Sequence, residues 1–232
     1  MKLNLKVVAM KKLTIKKLIE FRDKQDKGKK NFATVIKQNR PEPKTEGGGD
    51  YWISAVSAIA RAYKERDPQL ITLKIKELGE KIETTKNSQV KAQYRRNIEI
   101  LRKYENFDFK KWAPPGKTQL LKNHKAVLTI KELSVETSPS VVFSFGKGKQ
   151  DEVGAIWLVA KKQGFRKDEM GMFTDILARY LRNQYGKKYA PNPKYCLAVD
   201  VVSKYDISYS QLQNAEIPYL LNKTIDELKR LM

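Results

Sequence analysis

Two apolar runs, Val153–Ala160 and Tyr195–Val202, flank a long segment with helical periodicity, Lys167–Tyr185. This alternation constrains the fold more than any other feature of the chain. A nearly continuous apolar run suits a strand covered on both faces. Within the segment between them, Phe173, Ile176, Leu177, Tyr180 and Leu181 recur on one side, as in a helix that buries a stripe. Asp168 and Glu169 stand at its start and Arg179 and Arg182 near its end, the arrangement that the helix dipole favours. Strand, helix and strand in this order form a crossover unit with parallel strands. The spacing therefore predicts a sheet in the C-terminal half with a helix packed on it.

Shorter β-like runs precede the crossover. Ala126–Ile130 and Leu133–Glu136 come first, then a Ser138-Pro139-Ser140 turn, then Val141–Phe145 with Val141, Phe143 and Phe145 on one face. The Trp112-Ala113-Pro114-Pro115-Gly116 stretch marks a boundary, because the period changes there from helical to alternating. Before it, three helical patterns follow one another. Asp50 is placed to cap Tyr51–Arg66, Pro68 opens a second stripe (Ile71, Ile75, Leu78, Ile82), and Ser88–Tyr104 carries a third (Val90, Tyr94, Ile98, Leu101). Short connections predict an antiparallel bundle. The chain ends in a helix, Ile225–Leu231, for which Thr224 and Glu227 match a capping box.

The first 49 residues read differently. Leu13–Gln25 has a short apolar side, and Lys27–Gly49 carries Pro41, Pro43 and Gly47–Gly49 among lysines. The expected organisation is α+β in three parts. Residues 1–49 form a basic, partly flexible arm with one helix, 50–113 a helical bundle, and 114–232 a mixed α/β sheet domain with the strand–helix–strand crossover.

Charge supplies the functional signal. Lys plus Arg number 47 against 26 Asp plus Glu, for a net +21, and the sequence pI is about 9.8. A pI above about 9 is the electrostatic footprint of nucleic-acid binding. The surplus is concentrated early: residues 1–49 carry 14 basic and 5 acidic side chains. The residues expected to meet phosphates are Lys11, Lys12, Lys16 and Lys17 at the start of the first helix, and Lys27, Lys29, Lys30, Lys37 and Arg40 in the arm. Lys91, Arg95 and Arg96 on the third bundle helix and Lys147 and Lys149 in the Gly146–Gln150 turn complete the set. Lys outnumbers Arg 36 to 11. Lysine acts as a point charge, whereas bidentate arginine reads guanine, so backbone contact with little sequence readout is expected.

Two other readings compete. A divalent-metal nuclease would be built around Asp200, which sits inside an apolar strand, with Asp151, Glu152 and Lys161 as partners. A buried carboxylate needs pairing or a metal. Yet no acid-x-Lys signature lies in Val153–Ala160, and an Asp near a strand end ordinarily caps a turn. Alternatively, the chain is a basic subunit that docks on an acidic protein partner.

Other motifs are incomplete. Gly116-Lys117-Thr118 copies the end of a phosphate-binding loop, but Lys111 stands where the first glycine belongs. One His (His124) and one Cys (Cys196) exclude a histidine- or cysteine-rich metal centre, and a lone Cys in an apolar strand is ordinary packing. Tyr185, Tyr189, Tyr205 and Tyr209 interleave with lysines, a pattern that can stack bases but more often covers a sheet edge. No catalytic residue set, cofactor or metal is expected. No apolar run reaches the roughly 20 residues of a bilayer span, and no secretory leader is read, so a cytoplasmic location is expected.

Overall fold

The structure, a computed structural model, describes residues 12–38, 51–146 and 151–232. A two-residue strand β1 (Leu13–Thr14) leads into α1 (Ile15–Asp23) and α2 (Asp26–Lys37). Three helices follow: α3 (Ile53–Glu65), α4 (Gln69–Thr84) and α5 (Ser88–Arg102), closed by a 3₁₀ turn at Phe109–Trp112. Then come β2 (Thr118–Leu121), β3 (Ala126–Ile130), β4 (Leu133–Thr137), β5 (Val141–Phe145) and β6 (Glu152–Val159). Helix α6 (Lys167–Tyr185) crosses to β7 (Ala190–Asp200), and β8 (Tyr205–Ser208), α7 (Tyr209–Gln213) and α8 (Leu221–Leu231) complete the chain.

The main sheet has the order β2-β5-β6-β7-β8. Its one parallel pair is β6 with β7, the two strands joined through α6, so the crossover forms as the apolar runs require. The β2–β5, β5–β6 and β7–β8 pairs are antiparallel. A small second sheet, β1-β4-β3, lies apart from it. The β6–β7 register shifts between Val153 and Ala155, and Gly154 sits in the shift. A Cβ there would come within 2.7 Å of the Phe143 ring and 2.8 Å of the Tyr195 carbonyl oxygen, so only glycine lets these strands approach so closely.

Alternation along the strands gives the main sheet two apolar faces. Phe143, Ile156, Leu158 and Val199 point to one side and pack with Ile59, Tyr63, Leu101 and Trp112 from the α3–α5 bundle. Val142, Val153, Ala155 and Ala198 point to the other and pack with Phe173, Ile176 and Leu177 of α6. The fold is thus α+β, with the sheet held between a helical bundle and a second helical layer. The bundle shares its core with the sheet.

Two expectations are corrected. Residues 13–37 are packed against the core and do not form a detached arm. Leu13, Leu18, Phe21 and Ile36 have no more than traces of exposure, β1 pairs in parallel with β4, and α2 packs along α8. Lys27, Lys30 and Lys37 are exposed on α2, and its short inner stripe, Ala33 and Ile36, carries the helix into the core. Prolines 41 and 43 and the glycine triplet lie outside the described residues, as does Asp50. Thr224 does not cap the last helix, which begins three residues earlier. Its hydroxyl donates to the Leu220 carbonyl from within the first turn. Finally, β2, β8 and α7 were not legible as separate elements.

Candidate nucleic-acid interface

Where β6 ends, the chain runs through Ala160, Lys161 and Lys162 before turning into α6. In open α/β sheets the crevice beyond the carboxyl ends of parallel strands is the usual place for a ligand. Here that crevice is a groove of about 900 Å³, bounded by the start of α1, the residues leading into α3, and the β4–β5 turn. Among the described residues that line it, six carry positive charge: Lys16, Lys17, Arg96, Lys125, Lys161 and Lys162. Two are acidic, Glu20 and Glu136. Half-buried rings of Tyr51, Trp52 and Trp157 stand among them.

Each segment has a reason to be there. Ile15, Leu18 and Ile19 bury the inner side of α1, which leaves Lys16 and Lys17 facing the groove. Thr14 caps this helix, its hydroxyl accepting from the Lys17 backbone N–H at 3.3 Å. Arg96 reaches from α5, donates to the Tyr51 hydroxyl at 3.0 Å and lies over that ring at 5.7 Å. The edge of Tyr51 meets Trp52 with 4.7 Å between ring centres.

The cations differ in what holds them. Lys125 pairs with Glu136 at 3.0 Å. Lys161 lies 3.4 Å from Glu169 and over the Phe165 ring. Burial pushes the Lys16 ammonium below the ordinary lysine pKa, and the nearby Glu20 pulls it back only in part. An incoming anion would relieve that cost, because an opposite charge favours the protonated form.

Asp200 builds this rim without being exposed on it. Its side chain is fully buried at the end of β7. One carboxylate oxygen, Oδ2, accepts from the Phe165 backbone N–H at 2.9 Å and from the Ser203 hydroxyl at 2.8 Å. The other, Oδ1, accepts from the Val202 N–H at 3.0 Å. The Tyr205 hydroxyl donates to the Phe165 carbonyl at 2.7 Å. Together these bonds lock the loop that presents Lys161 and Lys162. Gly164, at φ +72°, completes the lock, since a Cβ there would fall 2.3 Å from the Ser203 Oγ.

The acids grouped with Asp200 at the sequence level are elsewhere. Glu152 pairs with Ala190 and Val159 pairs with Asp200, so seven steps along β6 separate Glu152 from the Asp200 end. At about 3.3 Å per residue that is about 23 Å, too far for a shared metal. Glu152 instead accepts from the Asn192 amide at 2.8 Å, and Asp151 is exposed beside it. Of the three, only Lys161, two residues past Val159, stands at the Asp200 end of the sheet. Among the described residues no group of three His, Cys, Asp or Glu is placed to hold a metal ion.

The basic candidates are divided too. Lys16, Lys17 and Arg96 line the groove. Lys29 pairs with Glu227 at 2.7 Å, and Lys37 donates to the Met232 carbonyl, so both fasten α2 to α8. Lys12, Lys27, Lys30 and Arg95 are exposed and Lys91 half-buried, all outside the groove lining. Lys11, Arg40, Lys147 and Lys149 lie outside the described residues.

Of the tyrosines, Tyr185 donates to the Lys122 carbonyl and Tyr209 accepts from Arg182 at 2.8 Å, which makes them structural contacts. The Cys196 thiol is buried and its pKa is pushed well up by that burial. Sequence reasoning missed Lys125, Lys162, Tyr51, Trp52 and Trp157 as one group. The available signal was the Lys161-Lys162 doublet ending an apolar strand. No helix among the described residues is long and apolar enough to cross a membrane. No protein family, curated protein or solved structure matches the chain, so the geometry of this groove stands by itself.

Proposed function

We propose that the protein binds nucleic acid through its phosphate backbone, with the groove at the end of β6 as the principal contact. The observation that carries this reading is the collection of six cations against two carboxylates around half-buried aromatic rings. Phosphates meet lysines as point charges, and bases stack on rings whatever their identity, so sequence preference is weak. Lys16 favours the same conclusion: its charge is held at a cost in the free protein that a phosphate would offset. A cytoplasmic location goes with this reading, since a lone thiol suits a reducing compartment.

Fluorescence anisotropy with labelled DNA and RNA, at several salt concentrations, tests it. With about five or six phosphates neutralised, the log–log salt slope is about −4 to −5. Replacing Lys16, Lys17 and Lys162 together by Gln reduces that slope by about 2 to 3. Absence of measurable binding to every nucleic acid at about 50 mM salt, where backbone contacts are strong, overturns the proposal.

A further inference from the structure

Helix α3 runs from the groove toward a second cleft. That cleft encloses about 1060 Å³ between the end of α3, the 3₁₀ turn and the start of β2. Tyr63, Phe107, Phe109 and three prolines supply flat apolar walls, and Lys64, Arg66, Lys110 and Lys117 supply charge. The lining has one carboxylate, Asp108, which caps the 3₁₀ turn by accepting from the Lys110 N–H at 3.0 Å, against four cations. Arg66 is held in place by donating to the Thr118 hydroxyl at 2.8 Å.

The surface between the two clefts is also set by α3. Ile53, Ser57, Arg61 and Lys64 are all exposed. They fall at i, i+4, i+8 and i+11, which makes one continuous stripe. Ile53 lines the first groove and Lys64 lines the second, so the stripe joins them. The helix contains one acid, Glu65, and Arg61 neutralises it at 2.7 Å.

We propose that the ligand is a single strand laid along α3, with its ends in the two clefts. This inference rests on the nucleic-acid reading above and deepens it. Half-buried aromatic rings at both ends (Tyr51, Trp52 and Trp157 in the first, Phe107 in the second), with exposed Pro68 and Pro115 beside Phe107, accept the faces of unpaired bases, which a duplex keeps stacked away. Thirteen residues of α3 extend about 20 Å at about 1.5 Å per residue. At about 3.4 Å per stacked nucleotide, that distance is spanned by about six nucleotides. One or two more at each end give a site of about eight to ten, within the range of single-strand-binding folds.

The test is a ladder of labelled oligo-dT and oligo-U from about 4 to 14 nucleotides, binding the full chain, beside a hairpin duplex of matched length. The expected affinity climbs steeply to about eight to ten nucleotides and then flattens, because longer strands engage both clefts and shorter ones only one. The hairpin binds about tenfold more weakly. Replacing Arg66 and Lys117 by Ala lowers affinity for a 12-mer by about tenfold and affinity for a 4-mer by much less. Lys117→Ala alone serves if loss of the Arg66–Thr118 bond impairs folding. A plateau already at four nucleotides, a duplex bound as tightly as the strand, or cleft variants without effect at any length overturns this inference while leaving the nucleic-acid reading intact. Failure of the wild type to bind any strand or duplex overturns both.

Discussion

Lys16 and Asp200 are the two ionisable residues on which the groove most depends, and they act in opposite ways. The Lys16 pKa is lowered below 10.5, first by burial and then only partly restored by Glu20. In the window between its lowered value and 10.5, the unfolded chain holds a proton that the native chain has lost. Stability contributed by this group therefore rises with pH across that window, and the burial cost is fully present below it. Lys16→Met is expected to raise the melting temperature at neutral pH, to lose that gain as pH passes 10.5, and to lower the salt slope of nucleic-acid binding by about 1. A variant melting below wild type at neutral pH, with the slope unchanged, would show Lys16 to be a packing residue only. Asp200 is buried with its hydrogen-bonding capacity met, since three donors reach its two oxygens. Asp200→Asn puts an amide N–H₂ against at least one of those donors and is expected to cost about 1–3 kcal/mol in urea titration. The strand's apolar pattern showed that Asp200 needed partners. It did not show which, because Phe165 and Ser203 come from two separate loops.

At the scale of elements, legibility followed the length of the apolar stripe. Helix α6 and the strands β3 and β5 fall where the periodicity puts them, because each commits a whole face to one core. Strand β8 is four residues long with Tyr205 and Asp206 only half-buried, so its identity comes from pairing with β7. The N-terminal elements were misjudged for a related reason. Their lysines dominate the composition, while the buried residues (Leu13, Ile15, Leu18, Ile19, Phe21, Ala33 and Ile36) are scattered over three short elements. Burying each of the larger ones is worth about 1.5–3 kcal/mol, so as a set they rival the 5–15 kcal/mol of a typical domain. A chain lacking residues 1–38 is therefore expected to lose cooperative thermal unfolding. A sharp melting transition in that truncation, seen by circular dichroism, would instead make α1 and α2 an appendage.

Across the whole molecule, a net charge of +21 acts on folding and on binding with opposite dependence on salt. Self-repulsion among surplus lysines destabilises the compact state, and added salt screens it. The ion pairs at the start of α6, among them Arg166 with Asp23 at 3.0 Å and Arg166 with Asp168 at 3.3 Å, weaken with salt. Exposed pairs of this kind contribute only about 0–1 kcal/mol each, so the repulsion of the whole surface outweighs them. The free protein is accordingly expected to melt at a higher temperature as sodium chloride increases. Nucleic acid should oppose the trend. A strand present at about 100 times its dissociation constant stabilises by about 2.7 kcal/mol. For a chain of 232 residues that is about 5–10 °C, at about 2–4 °C per kcal/mol. Because salt releases phosphate contacts, this increment shrinks as the free protein's own melting temperature climbs, and the two curves converge. Differential scanning fluorimetry with and without a 12-mer, over a salt series, reads both effects. A free protein whose melting temperature falls with salt would mean that the ion pairs, and not the surplus charge, govern its stability. An increment that stays constant with salt would mean that the strand is held by contacts other than its phosphates.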